Sequence, residues 1–291
     1  MPWTEHPRVT AIRRRNRVAD VIVETLDGFR RHLTGRNAAL LTYYGFLTLF
    51  PLFLALSTIT GYVLESRPEW RDELVGSAAE SVPFIGDQIA GGTISGSWVA
   101  LTIGLAAAIW GSMKAFIGLQ LAYDEIWEID LEDRATFVVQ RTRALVGLAV
   151  IGSSLIATVS LASIVGQVDL PTGGPALLVL GGLVINTGVA AAMYRFLTSA
   201  STTWSMVWPG AVFTGIFYTV IQVFGAWITT ELAKNDTYGD LGSVLALLSW
   251  LSLHAVINLF GAEINGALYR LRLPGAEPGS PVVAEPPLAD A

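Results

Sequence analysis

Residues 241–268 read LGSVLALLSWLSLHAVINLFGAEINGAL, a run in which Glu263 is the only Asp, Glu, Lys or Arg. At the helical rise of about 1.5 Å per residue, such a run exceeds the roughly 30 Å of a bilayer's hydrocarbon core. Backbone N–H and C=O groups inside hydrocarbon must bond within the protein, so a run of this kind is read as a membrane helix. Alternation over about 10 residues, the mark of a barrel strand, is missing.

Five further runs share this character, at 38–64, 98–121, 145–166, 176–197 and 207–230, each closed by a charged, Gly or Pro break. Glu65-Ser66-Arg67-Pro68 ends the first, and Pro171-Thr172-Gly173-Gly174-Pro175 precedes the fourth, a turn-forming cluster that cannot continue a helix. The predicted fold is all-α: a polytopic membrane bundle of six transmembrane helices over 38–270. It is preceded by a basic amphipathic segment, 1–37, and followed by a tail, 271–291, rich in Pro, Gly and Ala and predicted to be disordered.

Composition agrees. Charged residues are 14% of the 291, against about 25% in soluble domains, and the mean hydropathy is +0.53. The absence of Cys excludes disulfides, thiolate catalysis, iron–sulfur clusters and Cys-bound zinc. A net charge of −6 argues against a general nucleic-acid binder.

Positive charge sets the direction of threading. Fourteen Lys and Arg fall in the N-terminal segment, the 2–3 and 4–5 connections and the tail. Only Arg67, Arg71 and Lys234 fall on the opposite side, and Lys114 lies within a run. Both termini are therefore expected in the cytoplasm. Residues 11–36 combine Arg clusters with Val18, Val21, Ile22, Thr25, Leu26, Phe29 and Leu33 at helical spacing, which predicts a helix lying on the membrane interface. The alternative is a solvated leader resting on a cytoplasmic loop. The external 1–2 connection, 65–97, carries a second helical pattern from Trp70 to Val82. It is expected to form a helical cover over the outer mouth, with its acids on a solvated face.

Ionisable and amide side chains inside the runs are the candidate chemistry. Lys114 lies about 24 Å inward along the second span, His254 about 20 Å and Asn258 about 26 Å along the sixth, with Glu263 nearer the inner surface. Groups at such depth are costly unless they face a cavity or a partner. His254, Asn258, Gly261 and Asn265 share one helix face, whereas Glu263 is turned away and is expected to pair with Lys114 or Arg195. Lys114, His254, Asn258, Glu263 and Asn265 thus form either a polar pathway or a set of snorkelling and structural pairs. Gly104, Ala108, Gly111, Ala115 and Gly118 make a small-residue ridge, expected to be a helix contact. Trp98, Trp204, Trp208 and Tyr269 suit interface anchors, and Pro51 and Pro209 suit kinks. No phosphate loop, nucleophile elbow or His-Glu-x-x-His motif occurs, and the three His are dispersed. No catalytic residue, metal site or cofactor is expected. The acids Asp124, Glu125, Glu128, Asp130, Glu132 and Asp133 are read as a solvated face.

Several motifs together resemble the YihY/BrkB family of bacterial inner-membrane proteins. They are Ala38-Ala39-Leu40-Leu41-Thr42-Tyr43-Tyr44 through Phe50-Pro51-Leu52, and Trp110-Gly111-Ser112 with Phe116, Leu119, Ala122 and Ile126-Trp127. Pro209-Gly210, Tyr238-Gly239-Asp240-Leu241-Gly242, Trp250-Leu251 and Gly261-Ala262-Glu263-Ile264-Asn265 complete the ordered set, over roughly 20–270. The resemblance implies six spans and residence in the bacterial plasma (inner) membrane. It also brings a historical ribonuclease label for which these residues supply no nuclease site. The expected function is transport of a lipid or amphipathic envelope component. A non-transporting scaffold and, behind it, a membrane-associated hydrolase or nuclease are the alternatives. Expected partners are membrane lipids and a second copy or another envelope protein, with no nucleic acid.

Overall fold

Asn16 divides the N-terminal basic segment in two. In the structure, a computed structural model that describes residues 6–49, 98–167, 174–232 and 239–272, helix α1 (Pro7–Arg15) ends where Asn16 turns extended. Helix α2 (Arg17–Arg31) begins under its side chain, whose Oδ1 accepts from the Val18 N–H at 2.9 Å. Asn is among the best N-caps because this bond satisfies an otherwise orphaned amide. The single helix expected over 11–36 is therefore a hairpin of two. Arg13 closes it from α1, reaching Asp20 and Glu24 of α2.

A second break follows at His32 and Leu33, where Leu33 is left-handed (φ 52°), before helix α3 over 34–49. The rest of the first expected span, Pro51 within it and the 65–97 connection lie outside the described residues. Helix α4 (Trp98–Ile126) ends in a reversal in which Glu128 is left-handed (φ 57°) and the Ile129 N–H donates to the Asp124 carbonyl at 2.9 Å. This is the Schellman bond pattern, with Glu where Gly is usual. Helices α5 (Phe137–Gln167), α6 (Gly174–Phe196), α7 (Trp204–Leu232) and α8 (Gly239–Arg270) follow. Tyr238 and the tail from 273 lie outside the described residues.

The described architecture is all-helical. Four stretches, Thr102–Ile126, Ala176–Phe196, Trp204–Gln222 and Val244–Arg270, are long and apolar enough to cross a membrane. They coincide with the second, fourth, fifth and sixth expected spans, and the third expected span is helical within α5.

The described residues group into two compact units, one drawn from Met1–Leu41, Phe116–Asp236 and Ser252–Ala291, the other from Thr42–Ala115 and Thr237–Leu251. The core of the first is built around Tyr123, Ile126, Tyr194, Leu197, Val207 and Leu259, with Ala122, Ala190, Ala191, Ala211 and Ala262 between them. Small residues let helix backbones approach in lipid, where no aqueous hydrophobic force pulls them together. A Cβ on Gly210 of α7 would stand 2.0 Å from the Gly261 carbonyl oxygen of α8. In the second unit the small-residue ridge of α4 performs the same service, since a Cβ on Gly111 would lie 3.0 Å from Thr48 Oγ1 of α3. Apolar side chains such as Ile103, Ile156, Val184 and Phe224 are exposed outside these contacts, as a lipid solvent permits.

Candidate functional site

The most concentrated chemistry in the described residues lies where α2, the end of α4 and the end of α8 meet. Glu263 is fully buried. Its Oε1 accepts from Thr34 Oγ1 at 2.5 Å and faces His32 Nδ1 at 3.0 Å, and its Oε2 lies 4.0 Å from Arg270 Nη2. The other ring nitrogen of His32, Nε2, lies 3.3 Å from Glu128 Oε1. Ionised carboxylates only accept, so a ring with a carboxylate at each nitrogen is fully bonded as imidazolium, which donates from both.

Glu24 is the second hub, accepting from Arg13 Nη2 at 3.1 Å, Arg31 Nη2 at 3.3 Å and Arg270 Nε at 3.1 Å. Arg270 also donates from Nη1 to the Ile126 carbonyl at 3.1 Å, while its buried Nη2 makes no hydrogen bond among the described residues. Arg13, Arg31, Arg270 and protonated His32 thus oppose Asp20, Glu24, Glu128 and Glu263, four charges against four. Buried ions need such pairing because transfer out of water costs several kcal/mol per ion. Burial by itself drives the His32 pKa down, but the bonds to Glu128 and Glu263 and the charge of Glu263 outweigh it and hold it above 6.5. Burial raises the Glu128 carboxyl, and His32, Arg270 and Arg31 more than reverse this, leaving it below 4.5.

Two further hydrogen-bond networks lie in the same unit. Asp124 is buried at the loop after α6, accepting from Thr198 Oγ1 (2.9 Å) and from the Ser199 amide and hydroxyl (2.6 and 2.9 Å). Deeper, Tyr123 Oη donates to Asn258 Oδ1 at 2.6 Å, and Tyr194 Oη donates to the Asn258 carbonyl at 2.6 Å.

The sequence-derived candidates therefore separate. Asn258 and Asn265 are both buried and engaged. The Asn265 amide takes the Gly210 N–H at 2.7 Å and donates to the Val207 carbonyl at 3.1 Å, bracketing Pro209 in α7. His254 stacks on Tyr218 with ring centroids 4.7 Å apart, and its carbonyl accepts from Tyr218 Oη. Glu263 finds partners in His32, Thr34 and Arg270 rather than in Lys114 or Arg195. The N-terminal segment, absent when the spans are read alone, supplies the nearest of these cations, His32. Lys114 belongs to the second unit, is exposed, and holds its ammonium 5.6 Å from the Trp110 ring centroid.

Among the motif positions, Tyr43 and Tyr44 set their rings 5.5 Å apart and Trp110 is exposed, while Gly239 and Gly242 fall in the first turn of α8. The acids of the 2–3 connection do not form one solvated face. Asp124 is buried and Glu128 is drawn into the cluster because α4 ends there and turns inward, leaving Asp130, Glu132 and Asp133 exposed. Among the described residues no three His, Asp or Glu side chains are disposed to hold a metal ion.

Sequence reasoning missed His32, Asp20, Glu24 and Arg270 as a set. The available signals were Asp20 and Glu24 one turn apart within an Arg-rich segment, and Glu263 and Arg270 seven apart on one face of α8.

Apolar helices of spanning length define an integral membrane protein. The chain belongs to the BrkB family: residues 25–284 match the family model described as virulence factor BrkB. It is similar to the ribonuclease-like protein YfkH of Bacillus subtilis (strain 168), 24% identical over 88% of this chain and 98% of that protein. It is similar to the inner membrane protein YhjD of Escherichia coli (strain K12), 22% identical over 87% of this chain and 83% of that one. A UPF0761 membrane protein of Halorhodospira halophila is 24% identical over 82% of this chain and 55% of its own length. No solved structure matches the chain.

Proposed function

We propose that this protein crosses the bacterial inner membrane six times with both termini in the cytoplasm, and moves a lipid or an amphipathic envelope component. In this reading it is neither a nuclease nor a hydrolase, uses no cofactor, and contributes to envelope integrity. Lys114 carries the proposal. It is an exposed cation within the apolar stretch Thr102–Ile126, beside an exposed Trp110 ring. An ionisable group in such a stretch costs about 2.5–3.5 kcal/mol on insertion scales, and groups of this kind mark substrate and ion pathways in membrane proteins. An ammonium next to an indole face offers an anionic headgroup and an apolar tail one contact each.

The test is flux. Purified protein in vesicles is offered fluorescent phospholipids and amphipathic anions, and Lys114→Ala is compared with Lys114→Arg. A loss of transport in the alanine variant, restored by arginine, supports the reading; equal flux in all three proteins overturns it.

The dense bonding of Asn258 and Asn265 favours a second reading, a scaffold that holds another envelope protein or a second copy through its helix surfaces. A stable partner co-purifying with a protein that shows no flux supports that one.

A further inference from the structure

Helix α2 is amphipathic in the inverted sense. Asp20, Glu24 and Gly28, one turn apart, are its buried face, packed under Arg13, Arg270 and Glu263. Val18, Ile22 and Leu26 lie about 200° around the helix from them and are 66%, 53% and 41% exposed. Ile12 of α1, Leu33 at the break and Leu40 early in α3 extend the exposed apolar surface in both directions along the chain. In water the hydrophobic effect would turn this helix the other way, apolar side inward and carboxylates outward.

The charges bordering this surface have one sign. Arg8, Arg14, Arg15, Arg17 and Arg30 are exposed, and no Asp or Glu between 6 and 36 is. Asp20 and Glu24 are drawn to its underside by Arg13 and Arg270, which leaves a cationic rim around an apolar strip.

We infer that the α1–α2 hairpin is a docking surface for the anionic face of a lipid leaflet, its apolar strip sunk among acyl chains and its arginines against headgroup phosphates. Interfacial helices bind by this combination of buried apolar area and attraction to anionic lipid. The inference needs only that the protein resides in a membrane, so it stands apart from the transport reading. The charge cluster below holds the hairpin in the orientation that keeps the strip outward.

The Cys-free chain makes the test direct. Val18→Cys, Ile22→Cys and Leu26→Cys, each carrying an environment-sensitive fluorophore, are reconstituted as full-length protein beside Glu132→Cys, an exposed loop control. Vesicles contain phosphatidylcholine alone or with phosphatidylglycerol, with and without acyl-chain bromine as a quencher. The expected result is blue-shifted emission at the three strip positions, quenched by brominated lipid and more so with phosphatidylglycerol. The control stays water-like, and Arg14→Gln/Arg15→Gln/Arg17→Gln abolishes the phosphatidylglycerol dependence. Three results overturn the inference: strip positions indistinguishable from the control; quenching equal in the two lipid mixtures; or a blue shift that lipid bromine leaves unquenched and that grows with protein density, which assigns the strip to a second copy.

Discussion

His32 Nδ1 lies 3.0 Å from Glu263 Oε1 across 231 positions of the chain, and this contact ties the end of the N-terminal hairpin to α8. The same imidazole reaches Glu128 at the end of α4. One side chain thus joins three segments, and its proton supplies the fourth positive charge of the cluster.

Stability should depend on pH through His32. Its pKa is raised above 6.5 in the folded protein, so its contribution is complete below 6.5 and is lost as pH rises through the higher native value. Glu128, held below 4.5, contributes fully above 4.5 and loses its contribution only as pH falls through its lower native value. The melting temperature of purified protein in nanodiscs is expected to fall as pH rises past 6.5, and His32→Gln should flatten that slope. An unchanged slope in the variant removes His32 from this role.

Glu263→Ala should be among the most damaging substitutions. It strips one anion from buried His32, Thr34 and Arg270, a class of change that costs about 3–5 kcal/mol. Unfolding in mixed detergent micelles measures it. Reverting the excess charge with His32→Gln in the same chain should recover part of the loss, because the two residues are directly coupled.

Glu128 separates backbone from side chain. Both Glu128→Ala and Glu128→Gly delete the carboxylate, but only glycine adopts the left-handed backbone (φ 57°) without a Cβ penalty. The glycine variant is expected to be more stable than the alanine variant by about 1 kcal/mol. Equal stability would mean that the turn does not keep this conformation.

Glycines at crowded and open helix positions should diverge. A Cβ at Gly210 or Gly261 would stand 2.0 or 2.2 Å from the nearest atom, so alanine there forces α7 and α8 apart. Overpacking costs about 1–3 kcal/mol. Gly188 of α6 faces open space, and Gly188→Ala should be neutral or gain up to about 1 kcal/mol from helix propensity. Thermal unfolding of the three variants side by side checks the order.

How far the sequence could be read differed between helices and contacts. The helices of α4, α6, α7 and α8 were legible because an apolar run of spanning length admits few other structures, and Lys114 stood out as a charge within one. The partners of Glu263 were not. Reading inside the spans pointed to Lys114 or Arg195, whereas the nearest cations come from the segment before the first span and from Arg270 near the chain's end. Asn258 and Asn265 were visible as polar groups on one face of α8. Periodicity places such groups on a face without saying which neighbouring helix supplies Tyr123 or the Gly210 amide.

The amino-acid sequence by itself determined an all-helical membrane protein, because hydrocarbon forces every backbone polar group to bond locally and twenty apolar residues leave only the helix. It also determined that the N-terminal segment is amphipathic. Only the tertiary structure decided which side of α2 turns inward, and it chose the charged one. Four cations and four anions from distant segments neutralise one another there, and pairing of that kind depends on where helix ends meet in space rather than on any spacing along the chain.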